Sequence, residues 1–152
     1  MNIGENAPDF TLKDADGRDW NLAEHKGKAV VLLFYPGDNT PVCTKQMCSV
    51  RDNWADYAAT GALVVGISTD SAASHKDFVE KHDLPLTLLA DENGTVSKTY
   101  KAKSWLPGRA ARAVVVIDKL GVIRHHKVQP TSIFRPKDDE VLEAIRKTQK
   151  EN

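Results

Sequence analysis

Residues 29–48 are AVVLLFYPGDNTPVCTKQMC, and this stretch decides the fold. Its first part, residues 29–35, is a continuous apolar run, which is typical of a β-strand covered on both faces. Residues 36–39, with Pro, Gly, Asp and Asn, then break the run. Pro41 suits the first turn of a helix, because its missing N–H would have had no partner there. The stretch therefore predicts a buried strand, a turn and a helix over about residues 41–59.

Strand-like and helix-like patterns alternate along the rest of the chain. Strands alternating with helices imply a parallel core sheet with helices on both faces. The further elements that the patterns predict are a hairpin over 10–21, a strand over 62–67, a helix over 71–82, a strand over 86–89, a short helix over 96–100, a hairpin over 113–128 and a helix over 138–147. From this order the chain is predicted to be a single domain over residues 1–152 with an α/β, thioredoxin-like fold: a mixed central sheet flanked by helices, with an N-terminal β-hairpin extension.

Composition and charge indicate which kinds of partner the chain has and in which compartment it lies. The chain has 21 Lys and Arg against 21 Asp and Glu, with no basic tract, which argues against a nucleic-acid partner. The longest apolar stretch is too short to span a bilayer, so no membrane partner is expected. Without a recognisable secretion signal, a cytoplasmic location is expected. Two cysteines in such a reducing setting are more often reactive groups or ligands than a structural crosslink.

Cys43 is the candidate nucleophile. It falls in the first turn of the predicted helix, directly after a strand, where the sites of open α/β sheets gather. Unpaired backbone N–H groups and the helix dipole favour an anion there, and therefore a thiolate. Taken alone, a single cysteine is as often a small buried apolar residue, but Pro36, Thr40 and the helix start favour a reactive thiol. Zinc needs more ligands than two cysteines at this spacing supply.

Three segments carry a resemblance to a known family. Pro36-x-x-x-Thr40-x-x-Cys43 resembles the active-site motif of the peroxiredoxins. A second cysteine five positions further on is similar to the pattern of the bacterioferritin-comigratory-protein (PrxQ) subfamily. Residues 112–118, RAVVVID, resemble the family strand that opens with a catalytic arginine. The resemblance extends over about residues 4–146.

The resemblance implies a role for each matching residue. Cys43 would be the peroxidatic cysteine and Cys48 the resolving one, forming an intramolecular disulfide. Thr40 and Arg112 would polarise the peroxide, and Pro36 would shield the pocket from water. The implied activity is the reduction of hydroperoxides without metal, haem or flavin, with thioredoxin or another dithiol as reductant. Since both cysteines lie in one chain, catalysis needs no dimer, and a monomer is expected.

Two positions depart from the subfamily pattern, and some assignments stay open. Val42 stands where the subfamily often has glycine. Gln46 stands where it often has glutamate, so it would hold the arginine by a neutral hydrogen bond.

Arg109 competes with Arg112 for the catalytic role. Cys48 is alternatively a packed helix thiol in an enzyme that a partner's thiol resolves.

The remaining expectations concern side chains outside the motif and other function classes. His75 and His82, seven apart on a helix, are expected to be solvated, and the three tryptophans are expected to pack. The alternative function is a thiol-disulfide oxidoreductase or redox sensor, although the chain has no Cys-x-x-Cys. A non-enzymatic scaffold would leave the Thr-Pro-x-Cys segment unexplained.

Overall fold

The computed structural model describes residues 2–102, 109–129 and 137–150. The strands in these ranges are β1 (Thr11–Asp14), β2 (Asp19–Asn21), β3 (Val30–Phe34), β4 (Leu63–Ser68), β5 (Thr87–Ala90), β6 (Ala113–Ile117) and β7 (Ile123–Val128). The helices are α1 (Pro41–Asp52), α2 (Trp54–Ala59), α3 (Ala72–His82), α4 (Thr95–Thr99) and α5 (Asp138–Lys150), with a 3-10 turn at Leu22–His25.

All of these strands form a seven-stranded sheet in the order β2-β1-β5-β4-β3-β6-β7. The centre is parallel, since β3 pairs with β4 and β4 with β5 in the same direction. The other pairings are antiparallel, including that of the N-terminal hairpin with β5 and those of β6 with β3 and β7. The mixed sheet and the N-terminal hairpin extension are therefore confirmed.

The sheet is covered on both faces, as the apolar run of β3 predicts. Successive side chains of a strand point to opposite faces. Val31 and Leu33 belong to the core that contains α1, α3 and α5, while Val30 and Leu32 belong to the core that contains the hairpin and α4. Every residue of β3 is buried. The strand that leads to Cys43 therefore lies in the middle of the molecule.

The predicted helix over residues 41–59 is wrong in one respect, because it is two helices. The break falls at Asn53, whose φ of −105° and ψ of 17° are outside the helical region. The side-chain Nδ2 of Asn53 donates to the Ser49 carbonyl at 2.9 Å. Asparagine side chains compete in this way with the backbone for the last carbonyls of a turn. Apolar spacing alone does not register such competition.

Other expectations have mixed outcomes. Trp20 is buried and Trp54 packs against the core, as predicted, whereas Trp105 lies outside the described residues. In the described part of the chain, no helix has both the length and the apolar composition to cross a membrane. The single domain over residues 1–152 stays a prediction.

Candidate active site

The nucleophile candidate is positioned by the start of α1. Cys43 is the third residue of this helix and has no solvent exposure. Pro41 opens the helix, and Thr40 before it has an extended backbone, with φ of −79° and ψ of 147°. Both conformations are those expected of a proline at the first helical position and of the residue that precedes it. The sulfur therefore lies in the first turn, where unpaired N–H groups favour a negative charge.

Arg112 is the arginine at the sulfur. It precedes β6, and because β6 runs antiparallel to β3 with Ala113 opposite Phe34, Arg112 lies beside the chain that leads into α1. Its Nη2 donates to Cys43 Sγ at 3.1 Å, and the residue is only 2% exposed. A guanidinium keeps its charge even when buried. A permanently charged guanidinium is therefore in hydrogen-bond contact with the thiol sulfur.

Arg109 occupies a different position. Its Nη1 donates to the Pro36 carbonyl at 3.0 Å, and the residue is exposed. The guanidinium also crosses so close to Gly37 that a Cβ there would collide with Nη1. Arg109 therefore holds the segment before α1 from outside, and Arg112 is the one of these two arginines that contacts the sulfur.

Gln46 supports Arg112 through a neutral acceptor, its side-chain amide, as the sequence predicts. Nη1 of Arg112 donates to Gln46 Oε1 at 2.5 Å. Because a guanidinium only donates, this contact fixes the amide oxygen on the arginine side. Gln46 is 2% exposed, and its Nε2 has no hydrogen-bond partner within the described residues. Arg112 thus bridges two positions of α1, Cys43 and Gln46.

Thr40 and Pro36 lie in the segment that joins β3 to α1. The Thr40 hydroxyl donates to the Gly37 carbonyl at 3.1 Å, which leaves the oxygen lone pairs as acceptors. Pro36 is half-buried. The predicted roles of Thr40 in orienting a peroxide and of Pro36 in excluding water stay predictions.

Cys48 lies on the same continuous helix as Cys43, and both cysteines are free thiols. Five residues of regular helix separate two Cα atoms by about 8.5 Å and rotate their side chains apart by about 140°. A disulfide tolerates at most about 7 Å between Cα atoms. In this dithiol form the helix must therefore open before the two sulfurs bond.

A buried polar cluster lies beside the segment that joins β3 to α1, and the sequence analysis missed it. His75 was expected to be solvated, and this is wrong, because its side chain has no exposure and lies 2.8 Å from Asp38 Oδ2. The pattern held a clue, since His75 is three and four residues before Phe78 and Val79, which contact the core. The cluster also contains Tyr35, whose hydroxyl donates to Asp38 Oδ1 at 2.7 Å.

Charge and burial act on this cluster together. Burial, and then the nearby Asp38 carboxylate, raise the pKa of Tyr35 well above its ordinary value, so its phenol stays a donor. Burial alone would raise the pKa of Asp38, but hydrogen bonds from His75, Tyr35 and Ser74 outweigh it and lower that pKa. Asp38 is therefore a buried carboxylate that depends on its donors.

A thioredoxin-like fold that holds a buried thiol at a helix N-terminus, with an arginine in contact with its sulfur, is an arrangement that can support chemistry at a cysteine. The model of the AhpC/TSA family matches residues 3–126. The chain is 32% identical to the peroxidoxin BcpB of Mycobacterium tuberculosis, with a TM-score of 0.87 over 97% of each chain. It superposes on the reduced 2-Cys peroxiredoxin of Plasmodium vivax with a TM-score of 0.90 at 26% identity, over 99% of this chain and 83% of that one.

Plant proteins named peroxiredoxin Q are similar in sequence. The chloroplastic peroxiredoxin Q of Triticum aestivum is 50% identical over 123 residues, which are 80% of this chain and 57% of that protein. That of Arabidopsis thaliana is 49% identical over 125 residues, 82% of this chain and 58% of that protein. The chain thus spans less than two thirds of the length of these relatives. It belongs to the AhpC/TSA family, and within it to the peroxiredoxins.

Proposed function

We propose that this protein is a thiol-dependent peroxidase that reduces hydrogen peroxide and organic hydroperoxides. The observation that carries the proposal is the contact between Arg112 Nη2 and Cys43 Sγ, 3.1 Å long and buried at the start of α1. A thiolate is the reactive form of cysteine, and a cation and a helix N-terminus both favour it. The family to which the chain belongs supports the same activity.

The first step is an attack on the peroxide by Cys43. The thiolate takes the terminal oxygen of ROOH, the O–O bond breaks, and the sulfur is oxidised to a sulfenic acid while ROH leaves with a proton from solvent. Negative charge develops on the departing oxygen. Arg112 and the first-turn N–H groups of α1 stabilise that charge, because they are fixed before the reaction starts. Thr40 orients the peroxide, and Pro36 keeps water from the site.

The second step regenerates the thiol. The Cys48 thiol condenses with the sulfenic acid, which forms a disulfide and releases water. An external dithiol such as thioredoxin then reduces the disulfide by exchange and is itself oxidised. None of these steps uses a metal, a haem or a flavin. The sequence-based expectations of a cytoplasmic location and a monomeric state belong to this proposal as well.

Peroxide consumption with dithiothreitol as reductant tests the proposal. The unsubstituted chain is expected to turn over, and Cys43→Ser to be inactive, because a serine hydroxyl supplies no comparable anion at neutral pH. Activity of Cys43→Ser would remove this residue as the nucleophile. Disulfide exchange without peroxide turnover would favour a thiol-disulfide oxidoreductase instead.

A further inference from the structure

The hydrogen bonds of His75 differ from those of an ordinary core histidine. Its Nε2 is 2.9 Å from the Leu89 carbonyl oxygen, and its Nδ1 is 2.8 Å from Asp38 Oδ2. A carbonyl oxygen and a carboxylate oxygen both accept hydrogen bonds. Both contacts are therefore hydrogen bonds only when one hydrogen lies between Nδ1 and Asp38 and another lies between Nε2 and Leu89.

Asp38 is held from three elements at once. Ser74 and His75 on α3 donate to Oδ2, at 2.8 Å each, and Tyr35, directly after β3, donates to Oδ1. Its backbone N–H donates to the Asp70 carboxylate, beyond β4, at 2.7 Å. The Asp38 side chain is 1% exposed. It therefore ties the segment before α1 into the core.

That segment makes a sharp turn directly before the active site. Asn39, directly after Asp38, has a φ of 62°, in the left-handed region, which asparagine adopts more readily than other non-glycine residues. This conformation turns the chain between Asp38 and the start of α1. The next residue is Thr40, and Cys43 follows in the first turn of α1. A shift of Asp38 would therefore reach the residues that surround the sulfur.

We propose that His75 is a positioning residue, which through its hydrogen bond to Asp38 holds the segment between β3 and α1 in the conformation that receives the peroxide. The proposal rests on the proposed peroxidase function. His75 acts through Asp38 and does not touch the reacting atoms. Small misplacements of a catalytic constellation by distant residues cost about a hundredfold in rate, so an effect of about ten- to a hundredfold is expected.

Two substitutions of His75 separate its two hydrogen bonds. The amide nitrogen of asparagine is three bonds from Cα, like Nδ1, and that of glutamine is four bonds away, like Nε2. His75→Asn therefore retains a donor toward Asp38, whereas His75→Gln retains a donor toward Leu89 only. His82→Gln, on the same helix, is the matched control.

The experiment measures two rates for Cys43 in the Cys48→Ser background: oxidation by hydrogen peroxide and alkylation by iodoacetamide. His75→Gln is expected to slow oxidation about ten- to a hundredfold without a parallel loss in alkylation, since alkylation does not need the peroxide-binding geometry. His75→Asn is expected to restore most of the oxidation rate, and His82→Gln to leave both rates unchanged. A parallel fall of both rates in His75→Gln, or an equal loss in His82→Gln, would overturn the proposal.

Asp38→Asn keeps the test decisive if His75→Gln does not fold. This substitution removes the carboxylate while the side chain keeps nearly the same shape, and it is expected to slow oxidation as His75→Gln does. If oxidation by Asp38→Asn is unimpaired, the proposal is overturned. A wild-type chain inert to peroxide would overturn the proposed function and this proposal with it, whereas an active wild type with an equally active His75→Gln would overturn this proposal alone.

Discussion

At the scale of single residues, the site depends on the two-pronged geometry of one arginine. Arg112 donates through Nη2 to Cys43 and through Nη1 to Gln46, and both partners lie on α1. A lysine ammonium lacks the fixed fork that serves two acceptors at once. Both acceptors are buried, so loss of the Arg112 donor would leave them without a hydrogen bond, at a cost in free energy.

Arg112→Met is expected to slow the oxidation of Cys43 by peroxide by about one to two decades. The substitution removes a charge-assisted donor worth about 1.5–3 kcal/mol, which corresponds to that factor in rate. Stopped-flow measurement of the peroxide reaction checks it. Arg109→Met is the control, since Arg109 contacts the Pro36 carbonyl and is expected to have the smaller effect. If Arg109→Met slows the oxidation of Cys43 more than Arg112→Met does, Arg112 is not the arginine that assists the reaction.

At the scale of elements, the proposed reaction requires α1 to serve two states. It is unbroken from Pro41 to Asp52 in the dithiol form, yet a disulfide between its cysteines needs the segment around Cys48 to unwind. The C-terminal end of α1 is fastened to the start of α5, because Ser49 and Asn53 both donate to the Asp138 carboxylate. Unwinding around Cys48 therefore works against the hydrogen bonds to Asp138.

Oxidation by one equivalent of peroxide is expected to melt the helix around Cys48 and leave the sheet intact. Hydrogen–deuterium exchange of reduced and oxidised protein checks this, with faster exchange expected over the second half of α1 and none gained in β3 or β6. The Cys48→Ser variant is the control and is expected to keep its exchange pattern on oxidation. A disulfide within an intact regular helix would contradict the geometry.

Asp138→Ala is expected to speed disulfide formation by about tenfold, because the hydrogen bond from Ser49, the residue next to Cys48, no longer opposes unwinding. A charge-assisted hydrogen bond of about 1.5 kcal/mol corresponds to that factor in rate. The rate is read from the disappearance of the Cys43 sulfenic acid. Asp139→Ala, the exposed neighbour, is the matched control and is expected to leave the rate unchanged. A slower or unchanged disulfide step in Asp138→Ala would mean that α1 opens elsewhere.

The sequence predicts those elements that depend on local patterns and misses features that depend on distant parts of the chain. The buried runs that became β3 and β6 were predicted because apolar periodicity is a strong local pattern, and Pro41 fixed the start of α1. The break at Asn53 was missed because it depends on a side chain competing for one carbonyl. The position of Arg112 needed the antiparallel register of β6 against β3, which no local pattern contains. His75 was missed because its partners come from distant segments.

At the scale of the whole molecule, buried carboxylates make stability depend on pH. Asp118 is 1% exposed, and although burial alone would raise its pKa, hydrogen bonds from the Val122 N–H, Arg124 and the Leu120 N–H lower it. The pKa of Asp38 is lowered as well. A carboxyl whose pKa is lower in the folded than in the unfolded chain stabilises the fold above its unfolded pKa of about 3.9 and loses that contribution as the pH falls through the folded pKa.

The free energy of unfolding is therefore expected to fall as the pH drops below about 4. Urea unfolding at a series of pH values checks this. Asp118→Asn is expected to be less stable at neutral pH and to show a shallower loss in acid, because one of the titrating groups is gone. Asp16→Asn, at an exposed turn, is the control with an unchanged slope. An acid slope that is the same in Asp118→Asn would contradict the role of this carboxylate.

In the proposed reaction, peroxide oxidises Cys43, and Cys48 resolves the oxidised sulfur within the same chain. Mass spectrometry after one equivalent of hydrogen peroxide, with dimedone present to trap sulfenic acid, tests both assignments in one experiment. We expect a Cys43–Cys48 disulfide within single chains of the unsubstituted protein, and a dimedone adduct on Cys43 in the Cys48→Ser variant. A folded protein whose Cys43 stays a free thiol, or an oxidised one whose Cys48 stays free, would contradict it.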